Sequence, residues 1–210
     1  MTDIAAPDTT RDRIKAIAVE LYVLRGHDGF SFGHIAEAIG TTRANIHHHF
    51  GNKQRLMGEL IEGFAADAEG RIEHLWTTGN AAFAERLAAQ LEDLRRFYNR
   101  FNKMPGERNV WSPISRLRLD LPALGDMASK ALERVNRAYD VCLQRALRNA
   151  IAAGELSKDT PVEDVARILR VTLLSCAPMT QDSGSFAELE KLFGALGRTI
   201  TASWGRRSNP

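Results

Sequence analysis

Between Phe30 and Leu56 the chain reads FSFGHIAEAIGTTRANIHHHFGNKQRL, and few folds accommodate this stretch. Ser31 can N-cap a helix whose apolar positions, Ile35, Ala36 and Ile39, recur at helical spacing. Gly40 follows and can take the positive φ that ends a helix and turns the chain. Thr41 or Thr42 can cap a second helix, Arg43 to His49, with Ile46 and Phe50 as its inward anchors. Asn52 can cap a third, which starts at Lys53 and is held by Leu56 and Leu60. Short helices joined by a Gly-containing turn form a helix-turn-helix, whose second helix is shaped to enter the DNA major groove.

The residue types on that second helix suit the task. Arg43 and Asn45 fall on its first turn, where a recognition helix meets base edges. Arg pairs with guanine O6 and N7 and Asn with adenine N6 and N7, each good pair discriminating by roughly 1–3 kcal/mol. Ala44 is small enough to meet a thymine methyl, and His47 and His48 can donate to phosphate. Lys53 stands at a helix N-terminus, where its charge adds to orphan backbone N–H groups facing an anion. Ser31, Thr41 and Thr42, at the helix starts, complete the expected DNA-binding set. The consecutive His47, His48 and His49 do not read as a metal site, because neighbours on a helix point about 100° apart.

The joint spacing resembles the DNA-binding domain of the TetR family of bacterial transcriptional regulators. That pattern runs loosely Gly-Phe, Ser or Thr, Ile-Ala, Ala-Gly, then Ser-x-Gly-x-Leu-Tyr-x-His-Phe, a small residue and Lys. Here it is Gly29-Phe30, Ser31, Ile35-Ala36, Ile39-Gly40, Thr42 through Phe50, Asn52 and Lys53. His47 stands where the family usually has Tyr, a phosphate contact, and Ala44 where it usually has Gly. The resemblance implies an inward-packed His49 beside Phe50. It also implies an all-α protein: a helix-turn-helix head over residues 1–52, then a helical effector-binding and dimerisation domain over 53–210.

Apolar and charged fractions are ordinary for a soluble globular protein. The formal net charge of +2 gives no global polycation that would bind nucleic acid indiscriminately, while a local basic face stays compatible. The two cysteines, Cys142 and Cys176, lie far apart in apolar helical patterns, which points to a reducing cytoplasm rather than a disulfide framework. No apolar run reaches the roughly 18 residues of a membrane span. The N-terminus MTDIAAPDTT lacks the basic and apolar regions of a signal peptide.

Along the chain, periodicity predicts about nine helices. Thr9 or Thr10 caps the first, Ile14, Ile17, Ala18, Leu21 and Tyr22 form its buried stripe, and Gly26 stops it. Arg11 and Arg13 on it are either DNA-backbone contacts or solvated charges. The helix begun at Lys53 should run to about Trp76, spanning roughly 36 Å at 1.5 Å per residue. Asn80 is expected to cap the next, which ends at Pro105-Gly106. Ser112-Pro113 opens a short helix, Leu121-Pro122 interrupts, and a long helix runs from about Ala123 to Ala153. Thr160-Pro161-Val162-Glu163 and Ser185-Phe186-Ala187-Glu188 read as capping boxes for two last helices. These are expected to cover 161–177, stopped by Pro178, and 185–204. Both carry apolar residues on more than one face, Ile168, Val171 and Leu174 marking the extra face of the first. A second copy of the same helix pair would cover such a face in a homodimer.

The family resemblance adds a small-molecule effector, most simply a hydrophobic one, bound among the C-terminal helices. Candidate lining residues are Phe97, Phe101, Met104, Trp111, Met127 and Tyr139, with Asn136, Arg137 and Asp140 for polar specificity. Aromatic and Met residues at helical spacing are more often core than ligand contacts, and the three polar residues read more readily as solvated faces. The expected protein is therefore a cytoplasmic, ligand-responsive repressor of a palindromic double-stranded operator, with no cofactor or metal and no catalytic residues. The alternative is a helical adaptor or a metal-binding enzyme without sequence-specific DNA binding.

Overall fold

Thr9 accepts a hydrogen bond on Oγ1 from the Asp12 N–H (3.2 Å) and starts the first of nine helices among residues 9–205, which the computed structural model describes. They are α1 (Thr10–Arg25), α2 (Phe32–Ile39), α3 (Arg43–Phe50), α4 (Lys53–Thr77), α5 (Phe83–Phe101), α6 (Pro113–Leu119), α7 (Leu121–Ala152), α8 (Val162–Ser183) and α9 (Ala187–Trp204). Among the described residues the chain forms no strand, only an isolated bridge between Leu156 and Gly205. The helices divide into two compact units. One holds residues up to Ala66 together with Ser112–Leu132; the other holds Asp67–Trp111 and residues from Glu133 on. Both α4 and α7 contribute to each unit.

Local signals place most helix starts. Ser31, Thr42, Asn52 and Ser112 each accept from the backbone N–H three residues on, at 3.4, 3.2, 2.8 and 3.2 Å. Gly40 ends α2 in the left-handed conformation (φ 71°, ψ 40°), which a side chain would strain.

Elsewhere tertiary partners override the local signal. α5 is capped at Ala82 rather than Asn80: Glu85 accepts from the Ala82 N–H, and Glu155, far along the chain, accepts from the Phe83 N–H. Thr160 does not cap α8, because its hydroxyl donates to the Ser157 carbonyl at 2.6 Å. Ser185 serves α9 from one residue further out, accepting from the Ala187 N–H, while Phe186 is the cap residue. The break expected at Leu121-Pro122 lies at Gly125 (φ 52°, ψ −133°), since Pro122 falls in a first turn where no backbone donor is needed. Pro178 does not stop α8, which continues to Ser183 and closes on left-handed Gly184. A proline removes one intrahelical bond and strains the preceding turn. α8 tolerates it at an exposed position flanked by buried Ala177 and Thr180.

In the first unit Ile14, Tyr22, Ile35, Ile46, Phe50, Leu56 and Met57 are fully buried, and Tyr22 stacks on Phe64 at 5.7 Å. The second unit is built on Trp76, Trp111, Leu143 and Leu147. Both buried indoles are paired: the Trp76 N–H donates to Gln90 (2.9 Å) and that of Trp111 to the Thr180 hydroxyl (2.7 Å). Arg86, 5% exposed, closes the end of α4 by donating to the carbonyls of Leu75, Thr78 and Gly79.

Candidate nucleic-acid interface

The residues expected to meet DNA all fall in the first unit, on α2, α3, the turn between them and the start of α4. α3 has two distinct sides. Ile46 and Phe50 are 0% exposed and anchor it, with the Arg11 guanidinium 4.3 Å over the Phe50 ring. Arg43, Ala44, His47 and His48 are exposed. An eight-residue helix cannot bury two apolar anchors in succession on one side without turning its first-turn polar residues outward.

The remaining members are held more specifically. Asn45 is half-buried, and its amide donates to the Thr41 hydroxyl at 3.0 Å. Ser31 and Thr42 are exposed and serve as caps. The His47 ring packs edge-on to Phe32 (4.9 Å) with Nδ1 2.8 Å from the Gly51 carbonyl, so Nε2 is its outward nitrogen. His49 is half-buried beside Phe50, its carbonyl accepting from Arg11. Arg11 also pairs with Glu59, which makes it a brace of the head; Arg13 is exposed. Burial pushes the Glu59 carboxyl up, but hydrogen bonds from Lys15 and Arg11 outweigh this and hold it below its ordinary value.

Lys53 is not free. Its ammonium donates to the carbonyls of His27 and Phe30 (2.7 Å to the latter) and sits 4.5 Å over the Phe30 ring. Sequence reasoning had no signal for this, because the acceptors are backbone atoms of a turn more than twenty residues upstream. It missed Arg116 and Asp120 for the same reason. Arg116 donates to the Val23 and Leu24 carbonyls, and Asp120 accepts from the His27 N–H at 2.9 Å.

The residues proposed for an effector are dispersed. Phe101, Trp111 and Tyr139 are buried in the second unit, and Phe97 is half-buried there with the Arg71 guanidinium 4.3 Å above it. Met104 is 65% exposed in the turn after α5, and Met127 belongs to the first unit. Tyr98, absent from the expected set, meets both Trp111 (6.3 Å) and Phe186 (5.2 Å). Of the polar candidates, Arg137 is exposed and Asp140 pairs with Arg170 at 2.7 Å. The Asn136 Oδ1 is buried with no hydrogen-bond partner. Burial pushes both thiols up, Cys176 to about 12, so neither is a ready thiolate. Among the described residues no three or more His, Cys, Asp or Glu side chains are grouped to hold a metal ion, and no helix is long and apolar enough to cross a membrane.

Residues 14–60, the braced head, match the family described as bacterial regulatory proteins, tetR family. The "HTH-type transcriptional repressor KstR2" of Mycolicibacterium smegmatis is 20% identical over 166 residues, covering 79% of this chain and 77% of that protein. The KstR2 repressor of Rhodococcus jostii is 30% identical over 84 residues, 38% of this chain and 41% of that one. Among solved structures, a TetR-family regulator from Agrobacterium tumefaciens superposes with a TM-score of 0.75 at 22% identity, covering 96% of this chain and all of that one. The head matched by sequence, the shared fold and the outward face of α3 agree on a DNA-binding transcriptional regulator whose head, residues 14–60, matches that of the TetR family.

Proposed function

We propose that the protein is a cytoplasmic, homodimeric repressor that reads a palindromic operator and releases it on binding a small, largely apolar effector. The observation that carries the DNA half is the polarity of α3: exposed Arg43, Ala44 and His48 opposite Ile46 and Phe50, which are 0% exposed. Arg43 reads guanine and Asn45 adenine, the latter exchanging its Thr41 hydrogen bond for a base edge. Ala44 meets a thymine methyl, while His47 through Nε2, His48, Ser31, Thr41 and Thr42 approach phosphates.

Dimerisation is supported by α8. Ile168 and Val171 are 56% and 54% exposed, an apolar cost that a second copy of α8 and α9 would remove. Two recognition helices set about one DNA turn apart then read both half-sites. The effector reading is supported by the aromatic residues of the second unit together with the buried, unpaired Asn136 Oδ1, an acceptor that a ligand donor would satisfy. Repression is supported by the two KstR2 relatives, both named as repressors.

Selection of bound DNA from a random pool is the test. Enrichment of a palindrome is expected, and failure to enrich any sequence would overturn the reading. Calorimetry against hydrophobic compounds should find a binder that weakens operator affinity; binding only by polar metabolites would refute the apolar effector.

A further inference from the structure

The turn between α1 and α2 is held from two sides by side chains remote in sequence. Within the turn, the Gly26 N–H donates to Tyr22 O (2.8 Å) and the Gly29 N–H to Gly26 O (3.3 Å). From α6, Arg116 donates to the carbonyls of Val23 (2.9 Å) and Leu24 (3.2 Å), orphan acceptors at the end of α1. Asp120, the residue that ends α6, accepts from the His27 N–H at 2.9 Å. From α4, Lys53 donates to the carbonyls of His27 and Phe30. His27 is thus gripped by its N–H through Asp120 and by its carbonyl through Lys53.

Gly26 is required for this approach. Its φ of 75° disfavours any side chain, and a Cβ there would lie 3.2 Å from an Asp120 carboxylate oxygen. Burial, and then the charge of Asp120, raise the phenol pKa of Tyr22, so this hydroxyl stays protonated beside the carboxylate.

The consequence for DNA reading is geometric. Lys53 is the first residue of α4 and follows the recognition helix by only three residues, while Phe30 immediately precedes the cap of α2. Tying Lys53 to Phe30 and His27 therefore pins the two ends of the helix-turn-helix to each other. An ammonium committed to two carbonyls and covering an aromatic face has at most one N–H left for an outside oxygen.

We propose that Lys53, Asp120 and Arg116 are positioning residues that fix the α1–α2 turn and through it the orientation of α3, and that Lys53 is not a phosphate ligand. This inference rests on the DNA-binding reading above. It makes α6 part of the DNA-reading machinery, although about sixty residues of chain separate it from α3.

The test uses the full-length protein and the operator obtained from the random pool. Operator affinity is measured against salt concentration for wild type, Lys53→Met, Asp120→Ala and Arg43→Ala. Removing one cation that neutralises a phosphate lowers the slope of log K against log salt by about 0.9. Lys53→Met and Asp120→Ala are each expected to weaken binding roughly tenfold, what one charge-assisted hydrogen bond carries when its loss is fully expressed, and to leave the slope unchanged. Both should speed amide hydrogen exchange over residues 26–30; Arg43→Ala should not. A slope reduced by about one unit in Lys53→Met, with protection intact, would make Lys53 a phosphate ligand and overturn the proposal. Should Lys53→Met not fold, Asp120→Ala decides, since a carboxylate cannot be a phosphate ligand: wild-type affinity and exchange there would refute the clamp. If wild type selects no DNA at all, it is the regulator reading that fails, while the exchange measurements still test the clamp.

Discussion

Truncating Ile46 to alanine removes the anchor that turns the recognition helix outward. Ile46 is 0% exposed and is one of only two buried residues on α3, the other being Phe50. The substitution deletes three carbons. At about 0.8 kcal/mol per buried methylene the transfer loss is near 2.4 kcal/mol, and the cavity left behind raises the total into a range of about 2–5 kcal/mol. A domain is typically stable by only about 5–15 kcal/mol, so a large part of the head's margin would go. Trp76, Trp111 and Trp204 all belong to the second unit, so tryptophan emission is a poor reporter of this event. Urea unfolding should be followed by far-UV circular dichroism, with hydrogen exchange at residues 43–50 as the local readout. Ile46→Ala should lose at least about 2 kcal/mol and all slow exchange in α3, whereas exposed Arg43→Ala should stay within about 0.5 kcal/mol of wild type. A cost below about 1 kcal/mol for Ile46→Ala, or equal costs for the two variants, would refute the division of α3 into an anchoring and a reading side.

Thr42→Ala removes the acceptor for the Asn45 N–H and should cost about 1 kcal/mol, seen as faster exchange at the start of α3, with Thr42→Ser restoring protection. Placing charge on the exposed face of α8, in Ile168→Asp with Val171→Asp, should convert a dimer to a folded monomer in sedimentation; an unchanged mass would rule out this face as the interface. The Glu59 carboxyl is depressed in the folded state, so its stabilisation is full above the ordinary carboxylate pKa and is lost as pH falls through the lowered one. Glu59→Gln should accordingly be less stable than wild type at neutral pH, with the difference shrinking under acid titration; a constant difference across that window would show that the pairs with Arg11 and Lys15 carry no linkage.

Legibility followed the range of the interactions. The caps at Thr9, Ser31, Thr42, Asn52 and Ser112 were readable because donor and acceptor are three residues apart. The anchors Ile46 and Phe50 were readable because burial follows the helical period. The start of α5 was not, since Glu155 completes it from 72 residues away. The candidate site divides in the same way. Arg43, Ala44 and His48 emerge exposed as their helix positions require. The setting of Lys53 could not be foreseen, because a lysine at a helix start carries no mark of which upstream carbonyls its ammonium will reach. The effector candidates were aromatic and Met residues on helices that the family resemblance assigns to a pocket, and residue type and helical position cannot tell a packed aromatic such as Trp111 from an exposed Met104.

By itself, then, the order of residues determined the all-helical class, the helix-turn-helix and the face of α3 turned to solvent, because each follows from periods and caps internal to one or two turns. Tertiary structure alone decided that Arg86 closes α4, that α8 runs through Pro178, and that Arg116, Asp120 and Lys53 converge on one turn of the head. The first and last of these depend on unpaired backbone groups finding charged partners across space. A chain resolves that requirement only once its helices have packed.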